Sequence, residues 1–315
     1  MKLRTLGKSG LLVSAVGLGC NNFGMRIDLE ASRAVIHKAL DLGITLFDTA
    51  DIYGNCGGSE TILGQILGDC RKNIVLATKV GKEMDDAGTM KGASRRYILS
   101  EVEASLRRLE TDYIDLYQIH VPDPLTPLEE TLRTLDDLIR QGKVRYVGCS
   151  NFPSWQVVEA IWISRELGIN RFSSCQDECS LLVRTSEREL IPAMENCGLG
   201  LLPYFPLAGG LLTGKYKRNM APADGTRFAA WKSLAQRYLT EANWNILERL
   251  EKFGAARNYS LLQLAFSWLL AKPVVSSVIA GATNPEQVEE NVMAADRLLP
   301  PEDLAEVDRL SSKLS

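Results

Sequence analysis

Asp48, Tyr53, Lys79 and His120 are the residues of this 315-residue chain whose types and spacing could together do acid–base chemistry. Each lies at or just past the end of an apolar run. Asp48 falls in Ile44-Thr-Leu-Phe-Asp-Thr-Ala50 with Tyr53 five residues on; Lys79 falls in Ile74-Val-Leu-Ala-Thr-Lys-Val80; His120 closes Tyr113-Ile-Asp-Leu-Tyr-Gln-Ile-His120. A charge in an apolar run is costly unless it is paired, and a lone Asp–Lys pair is more often a structural ion pair than a catalytic one. A carboxylate, a phenol, an ammonium and an imidazole at three successive strand ends form a set for moving a proton. A phenol titrates near pH ~10. A neighbouring ammonium favours the phenolate and is expected to lower that value, while the carboxylate keeps the ammonium charged and in place. The tyrosine then serves as proton donor, and the histidine orients an oxygen atom between them. The set contains no nucleophile, second free carboxylate or metal. Attack on carbon must come from elsewhere, and hydride from a nicotinamide is the natural source.

Elements that could bring these residues together recur along the chain. Apolar strand runs are expected at 15–19, 44–50, 74–80, 113–120, 144–150, 173–178, 200–206 and 275–280. Amphipathic helices are expected at 28–42, 59–68, 94–110, 128–142, 153–167, 186–196, 259–271 and 285–295, with an extra one at 301–314. In 94–110, Ile98, Val102, Leu106 and Leu109 recur at the helical period. Eight β–α units without a linker predict an α/β fold of the (β/α)8 TIM-barrel class, in a single domain over 1–315. Lys2 to Leu6 and Leu11 to Val16, broken by Gly-Lys-Ser-Gly, read as a capping hairpin. No GxGxxG turn follows the first strand, which argues against an open doubly wound sheet. The connection from Ala208 to Tyr259 breaks the rhythm, as functional lids do, and carries its own helix around Trp244 to Phe253.

Net charge of -3 and pI near 5.7 give no electrostatic reason to expect nucleic acid or an anionic membrane as partner. No apolar run has leader-peptide length or the ~18 residues needed to span a bilayer. Seven cysteines without a CxxC pair point to free thiols in a reducing, cytoplasmic setting. Cys175 and Cys179 have no further ligands nearby, so no metal site is expected. No apolar patch or heptad is readable, and a monomer or weak homo-oligomer is expected.

The motifs are more specific than the elements. Phe47-Asp-Thr-Ala-Asp-Ile-Tyr-Gly54, Ala77-Thr-Lys79, Ile119-His120 and Gly148-Cys-Ser-Asn-Phe152 resemble the ordered motifs of the aldo-keto reductase superfamily. So do Gln176, Pro203-Tyr-Phe-Pro-Leu-Ala-Gly-Gly-Leu-Leu-Thr-Gly-Lys-Tyr216 and Ile279-Ala-Gly-Ala-Thr-Asn-Pro-Glu-Gln-Val-Glu-Glu-Asn291. The resemblance, which runs from about residue 3 to about 295, implies NADPH-dependent reduction of a small aldehyde or ketone, with Tyr53 as general acid. It implies that Ser150, Asn151 and Gln176 hold the nicotinamide carboxamide while Tyr204 stacks on its ring. Leu207, Ala208 and Gly209 then lie along the pyrophosphate, and Thr283, Gln287, Glu290 and Asn291 embrace the adenosine. Cys20, Asn21, Phe205 and Pro206 complete the expected cofactor set.

Some members of that superfamily hold the cofactor phosphate with a Lys in the strand-eight motif and an Arg where this chain has Gln287. Gly281 and Gln287 remove that clamp here. The chain is more similar to the branch of bacterial reductases and potassium-channel β subunits, in which a lysine after a Thr-Gly turn and a downstream arginine take over. Lys215 and Arg227 fit those places, with Lys217 and Arg218 as competitors. Since a 2′-phosphate needs positive charge and donors, NADPH is favoured over NADH. Three departures bear on pocket shape: Cys179 for an aromatic, Ala280 for a proline, and Cys20-Asn21 for Thr-Trp. Trp231 and Tyr216 either wall the pocket or anchor the long loop. His37 reads as a core histidine, and Asp51 and Asp123 as helix or turn charges. Two other functions compete: a redox-sensing NADP(H)-binding subunit with little turnover, and a sugar hydrolase using Asp48 and Asp51.

Overall fold

A computed structural model describes residues 1–312. Two short strands, β1 (Leu3–Thr5) and β2 (Leu12–Ser14), pair as an antiparallel hairpin. Eight strands follow: β3 (Val16–Gly19), β4 (Leu46–Asp48), β5 (Val75–Val80), β6 (Ile114–Ile119), β7 (Val144–Ser150), β8 (Ser174–Glu178), β9 (Gly200–Tyr204) and β10 (Val278–Gly281). They form one parallel sheet in the order β10-β3-β4-β5-β6-β7-β8-β9. The sheet closes through the segment before β10: Leu201 N donates to Val274 O at 2.7 Å and Ser276 N to Leu201 O at 2.9 Å. This is the expected (β/α)8 barrel with its hairpin.

Helices join successive strands: α1 (Leu29–Asp41), α2 (Tyr53–Leu67), α3 (Arg95–Arg108), α4 (Leu128–Arg140), α5 (Ser154–Leu167) and α6 (Leu190–Cys197). The β9–β10 connection holds α7 (Arg227–Ala230), α8 (Lys232–Tyr238), α9 (Glu241–Arg257) and α10 (Leu261–Leu270). The helices α11 (Pro285–Asp296) and α12 (Pro301–Ser311) complete the described chain. Their starts follow local chemistry. Asp28, Ser94, Thr240 and Asn284 each accept a backbone N–H of the first turn, and Ser260 with Gln263 forms a reciprocal capping box.

Alternation along the strands separates two cores. Leu46, Ala77, Leu116, Leu202 and Ile279 pack with Leu6 and Val13 of the hairpin, which plugs the N-terminal mouth. The larger cluster lies between the outer face of the sheet and the helices. One step of two residues above the inner apolar layer come Asp48, Lys79, Gln118 and Tyr204, so the strand period itself lifts polar groups to the C-terminal mouth.

Several boundaries differ from expectation. Helical hydrogen bonding begins at Tyr53, but Gly54, Asn55, Cys56 and Gly57 all have positive φ, so regular helix starts after them. A side chain at Gly54 would press on Ser59 N and come within 2.6 Å of Phe23 O. The run expected at 200–206 ends at Tyr204, because Phe205 and Ala208 turn left-handed (φ 49° each). The 186–196 helix splits into a 3-10 turn, Thr185–Glu187, and α6. The long connection holds more helix than expected, with α9 extending on both sides of 244–253. The end of the helix expected at 301–314 lies partly outside the described residues. His37 is exposed rather than in the core, since α1 buries Ser32, Val35, Ile36 and Ala39 and the position after Ile36 turns outward. On α5, Trp155, Val158 and Trp162 stand exposed at helical spacing.

Candidate active site

Lys79 is fully buried, and its ammonium donates to Asp48 Oδ2 at 2.7 Å and to Thr49 O at 2.9 Å. Burial opposes that charge, but Asp48 and Tyr53 outweigh it and raise the Lys79 pKa. The other carboxylate oxygen of Asp48 accepts from Gln176 Nε2 at 2.8 Å and Gln118 Nε2 at 3.3 Å. Asp48 is therefore fixed by three side chains from β5, β6 and β8. Above it, Lys79 Nζ lies 4.9 Å from the centroid of the Tyr53 ring. The ring of His120 meets Tyr53 edge-on at 5.7 Å and 87°.

Burial pushes the Tyr53 phenol above its usual value, and Lys79 pulls it only part of the way back. The net direction corrects the expected lowering: desolvation outweighs the ammonium, and Tyr53 holds its proton at neutral pH. Burial, with Lys79 and Lys82 nearby, holds His120 well below the usual imidazole range. Its Nδ1 is buried without a hydrogen-bond partner among the described residues. The imidazole is neutral, so the site presents one phenolic donor beside an uncharged ring.

Asp48, Tyr53 and His120 open onto a cavity of about 990 Å³ across the C-terminal mouth of the barrel. Lys79 is sealed behind them. At the same end lie Ser150, Asn151, Gln176 and Tyr204. Asn151, with positive φ, donates through Nδ2 to His120 O at 2.9 Å and Ser150 Oγ at 3.0 Å, and Tyr204 Oη donates to Asn151 Oδ1 at 2.8 Å. Cys20, Asn21, Phe205, Pro206, Leu207 and Gly209 continue the wall, whereas Ala208 is buried behind it. A side chain at Gly209 would approach Phe228 Cε1 within 2.6 Å, which lets the loop pack against α7 only as glycine.

The far end carries Thr283, Gln287, Glu290, Asn291, Lys215 and Arg227. Gln287 Oε1 accepts from Thr283 N at 2.9 Å, and Asn22 Oδ1 accepts from Arg227 at 3.0 Å. Arg218 pairs instead with Glu248 at 3.2 Å and Glu241 at 3.5 Å, and neither it nor Lys217 reaches the cavity. Trp231 lines the cavity beside Arg227, at 5.2 Å from its guanidinium, while Tyr216 is buried and stacks on Phe228 at 4.5 Å. The two aromatics thus divide the roles of wall and anchor.

Sequence reasoning missed Gln118, Asn22 and Arg26. Gln118 was legible: it is an amide on the inward face of an apolar strand, the signal that marked Asp48 and Lys79. Asp51 lies in the turn before α2, as expected, and is fully buried there. Its Oδ1 accepts Ile52 N at 2.7 Å, its Oδ2 has no partner among the described residues, and it does not line the cavity. An Asp48–Asp51 hydrolase pair is excluded by that position.

The aldo/keto reductase family model matches residues 15–312. The chain belongs to the aldo/keto reductase family. It is 38% identical to L-glyceraldehyde 3-phosphate reductase of Escherichia coli (strain K12), over 98% of this chain and 92% of the relative. It is also 38% identical to a probable voltage-gated potassium channel subunit beta of Oryza sativa subsp. japonica, covering 96% of this chain and 94% of that one. An uncharacterized oxidoreductase of Bacillus subtilis (strain 168) is 37% identical over 94% of this chain and 91% of its own length. As an aldo/keto reductase, the protein is an oxidoreductase of carbonyl compounds, and its family generally binds NAD(P)H. No described helix is long and apolar enough to cross a membrane.

Proposed function

We propose that the protein is an NADPH-dependent reductase that converts an aldehyde or ketone to the alcohol, with Tyr53 as proton donor. The observation that carries this reading is a phenol above the buried Lys79–Asp48 pair, at one end of a cavity whose other end gathers cations without an anion paired to them. The residues fit a phosphorylated nicotinamide dinucleotide: amide and hydroxyl groups of Ser150, Asn151 and Gln176 at the reaction end, and Lys215 and Arg227 at the other. When bound, that cofactor supplies the hydride. Tyr53 then gives its proton to the carbonyl oxygen, and the neutral His120 ring fixes that oxygen beside it. Lys79 stabilises the phenolate that results, and Asp48, held by Gln118 and Gln176, keeps Lys79 charged through the cycle.

L-Glyceraldehyde 3-phosphate heads the panel of carbonyl substrates to assay. A relative carries that activity in its name, and Lys82 stands near His120 at the reaction end, available to an anionic group. The reading is tested by titrating NADPH and NADH separately and following Trp fluorescence, with Trp231 on the cavity wall. Tight NADPH binding with weak NADH binding is expected. Failure of folded protein to bind either would end the reductase assignment.

The named channel β subunits among the relatives support a second reading, in which the bound nucleotide reports redox state with little turnover. Single-turnover oxidation of bound NADPH with a negligible steady-state rate over the whole carbonyl panel would favour it.

A further inference from the structure

The loop between β3 and α1 carries one cation, Arg26, for which the acid–base set has no use. Its Nη2 donates to Gly225 O at 2.9 Å, joining this loop to the long β9–β10 connection. Arg26, Lys215 and Arg227 line the same end of the cavity, and among the described residues none of them forms an ion pair. Asp224 and Glu290 share the rim without pairing with them. Arg227 is held in place by Asn22 Oδ1 and lies 5.3 Å from the Phe205 ring and 5.2 Å from the Trp231 ring.

Three like charges held together raise each other's cost unless an anion joins them. After burial, Arg26 is the next cause that depresses the pKa of both Lys215 and Arg227. Fixed geometry and the lack of a paired protein anion therefore describe a receptor for a compact, multiply charged oxyanion. Among the described residues, Arg26 Nε and Nη1 have no protein partner, and they belong to a planar fork suited to phosphate oxygens.

We infer that Arg26 is the third cation of the site that receives the 2′-phosphate of the dinucleotide, and that through Gly225 it ties the β3–α1 loop to the β9–β10 connection over that phosphate. The inference rests on the NADPH reading and adds a residue to it.

Arg26→Ala and Arg26→Lys, with melting temperatures first compared in the unliganded proteins, are titrated with NADPH, NADH, 2′,5′-ADP and 5′-ADP. Arg26→Ala is expected to weaken NADPH and 2′,5′-ADP roughly tenfold or more, since a hydrogen bond to a charged group is lost. NADH and 5′-ADP, which lack the 2′-phosphate, change less than about twofold, and Arg26→Lys recovers part of the loss. Equal weakening of NADPH and NADH puts Arg26 on the pyrophosphate or on loop closure alone and overturns the inference. Unchanged NADPH and 2′,5′-ADP binding also overturns it; if Arg227→Ala still abolishes the NADPH preference, the underlying cofactor reading survives. Wild-type protein that binds NADPH no more tightly than NADH sinks both.

Discussion

The two ends of the cavity are built on opposite electrostatic plans. At the reaction end the buried charges are paired: Lys79 on Asp48, and Asp48 on two glutamines, all carried by strands. At the far end Arg26, Lys215 and Arg227 stand together without a paired carboxylate, all carried by connections rather than by strands. Paired and buried charges fix a geometry and tune a proton. Unpaired charges at a rim wait for something that arrives from solution. Under the proposed function, the contrast separates residues assigned to chemistry from residues assigned to capture.

Perturbing each end should leave the other largely untouched. The largest effect expected is from Tyr53→Phe, which removes only the proton donor. Turnover should fall by about 10²–10⁴-fold while NADPH affinity stays within about twofold. If binding collapses along with turnover, the separation of chemistry from capture is wrong.

Next in size is Lys79→Met, which leaves Asp48 buried without its counter-charge. It should cost about 3–5 kcal/mol in urea denaturation, whereas Lys215→Ala at the rim should change stability by no more than about 0.5 kcal/mol. Similar costs at both positions would erase the distinction between paired and waiting charges.

Arg227→Ala or Lys215→Ala should weaken NADPH about tenfold relative to NADH, with the gap narrowing as salt is added. Parallel weakening of both nucleotides in a titration would take these residues off the phosphate.

The smallest effect concerns Asp51, whose carboxyl is pushed well up by burial, with Glu60 and Glu101 adding to it and Arg108 opposing. The folded protein holds that proton more tightly than the unfolded chain, so stability is lost as pH rises above the unfolded value of ~3.9. Asp51→Asn should match wild type below about pH 4 and be the more stable protein at pH 8, as read from melting curves. A variant less stable than wild type at pH 8 would show that Asp51 is held ionised.

Much of this contrast was legible in the sequence because strands impose a period. Asp48, Lys79 and His120 stood out as polar breaks in apolar runs, and the same rule applied to Gln118 would have found the residue that helps hold Asp48. The capture end was less legible. Arg26 is an ordinary loop charge until the fold brings it to Gly225, 199 positions away. The short helices α7 and α8 carry no periodic signal long enough to read. Side-chain environment also escaped: Asp51 lies one residue beyond an apolar run, and only the packing of α2 and α3 shows that it is buried. The Tyr53 proton followed the balance between burial and one ammonium, and residue order does not give that balance.

The hairpin that plugs the barrel floor also bears on the order of folding. Arg4 donates to Leu270 O at 2.7 Å and to Lys272 O at 3.2 Å, and Gly7 N donates to Ser276 Oγ at 3.2 Å. These bonds join segments 266 to 269 residues apart, and the same C-terminal segment supplies the hydrogen bonds that close β9 to β10. Contacts of such sequence separation form late, because the loop between them must be ordered first. The floor is therefore completed only when the segment leading into the last strand arrives, and closing the barrel and seating the hairpin draw on the same stretch of chain.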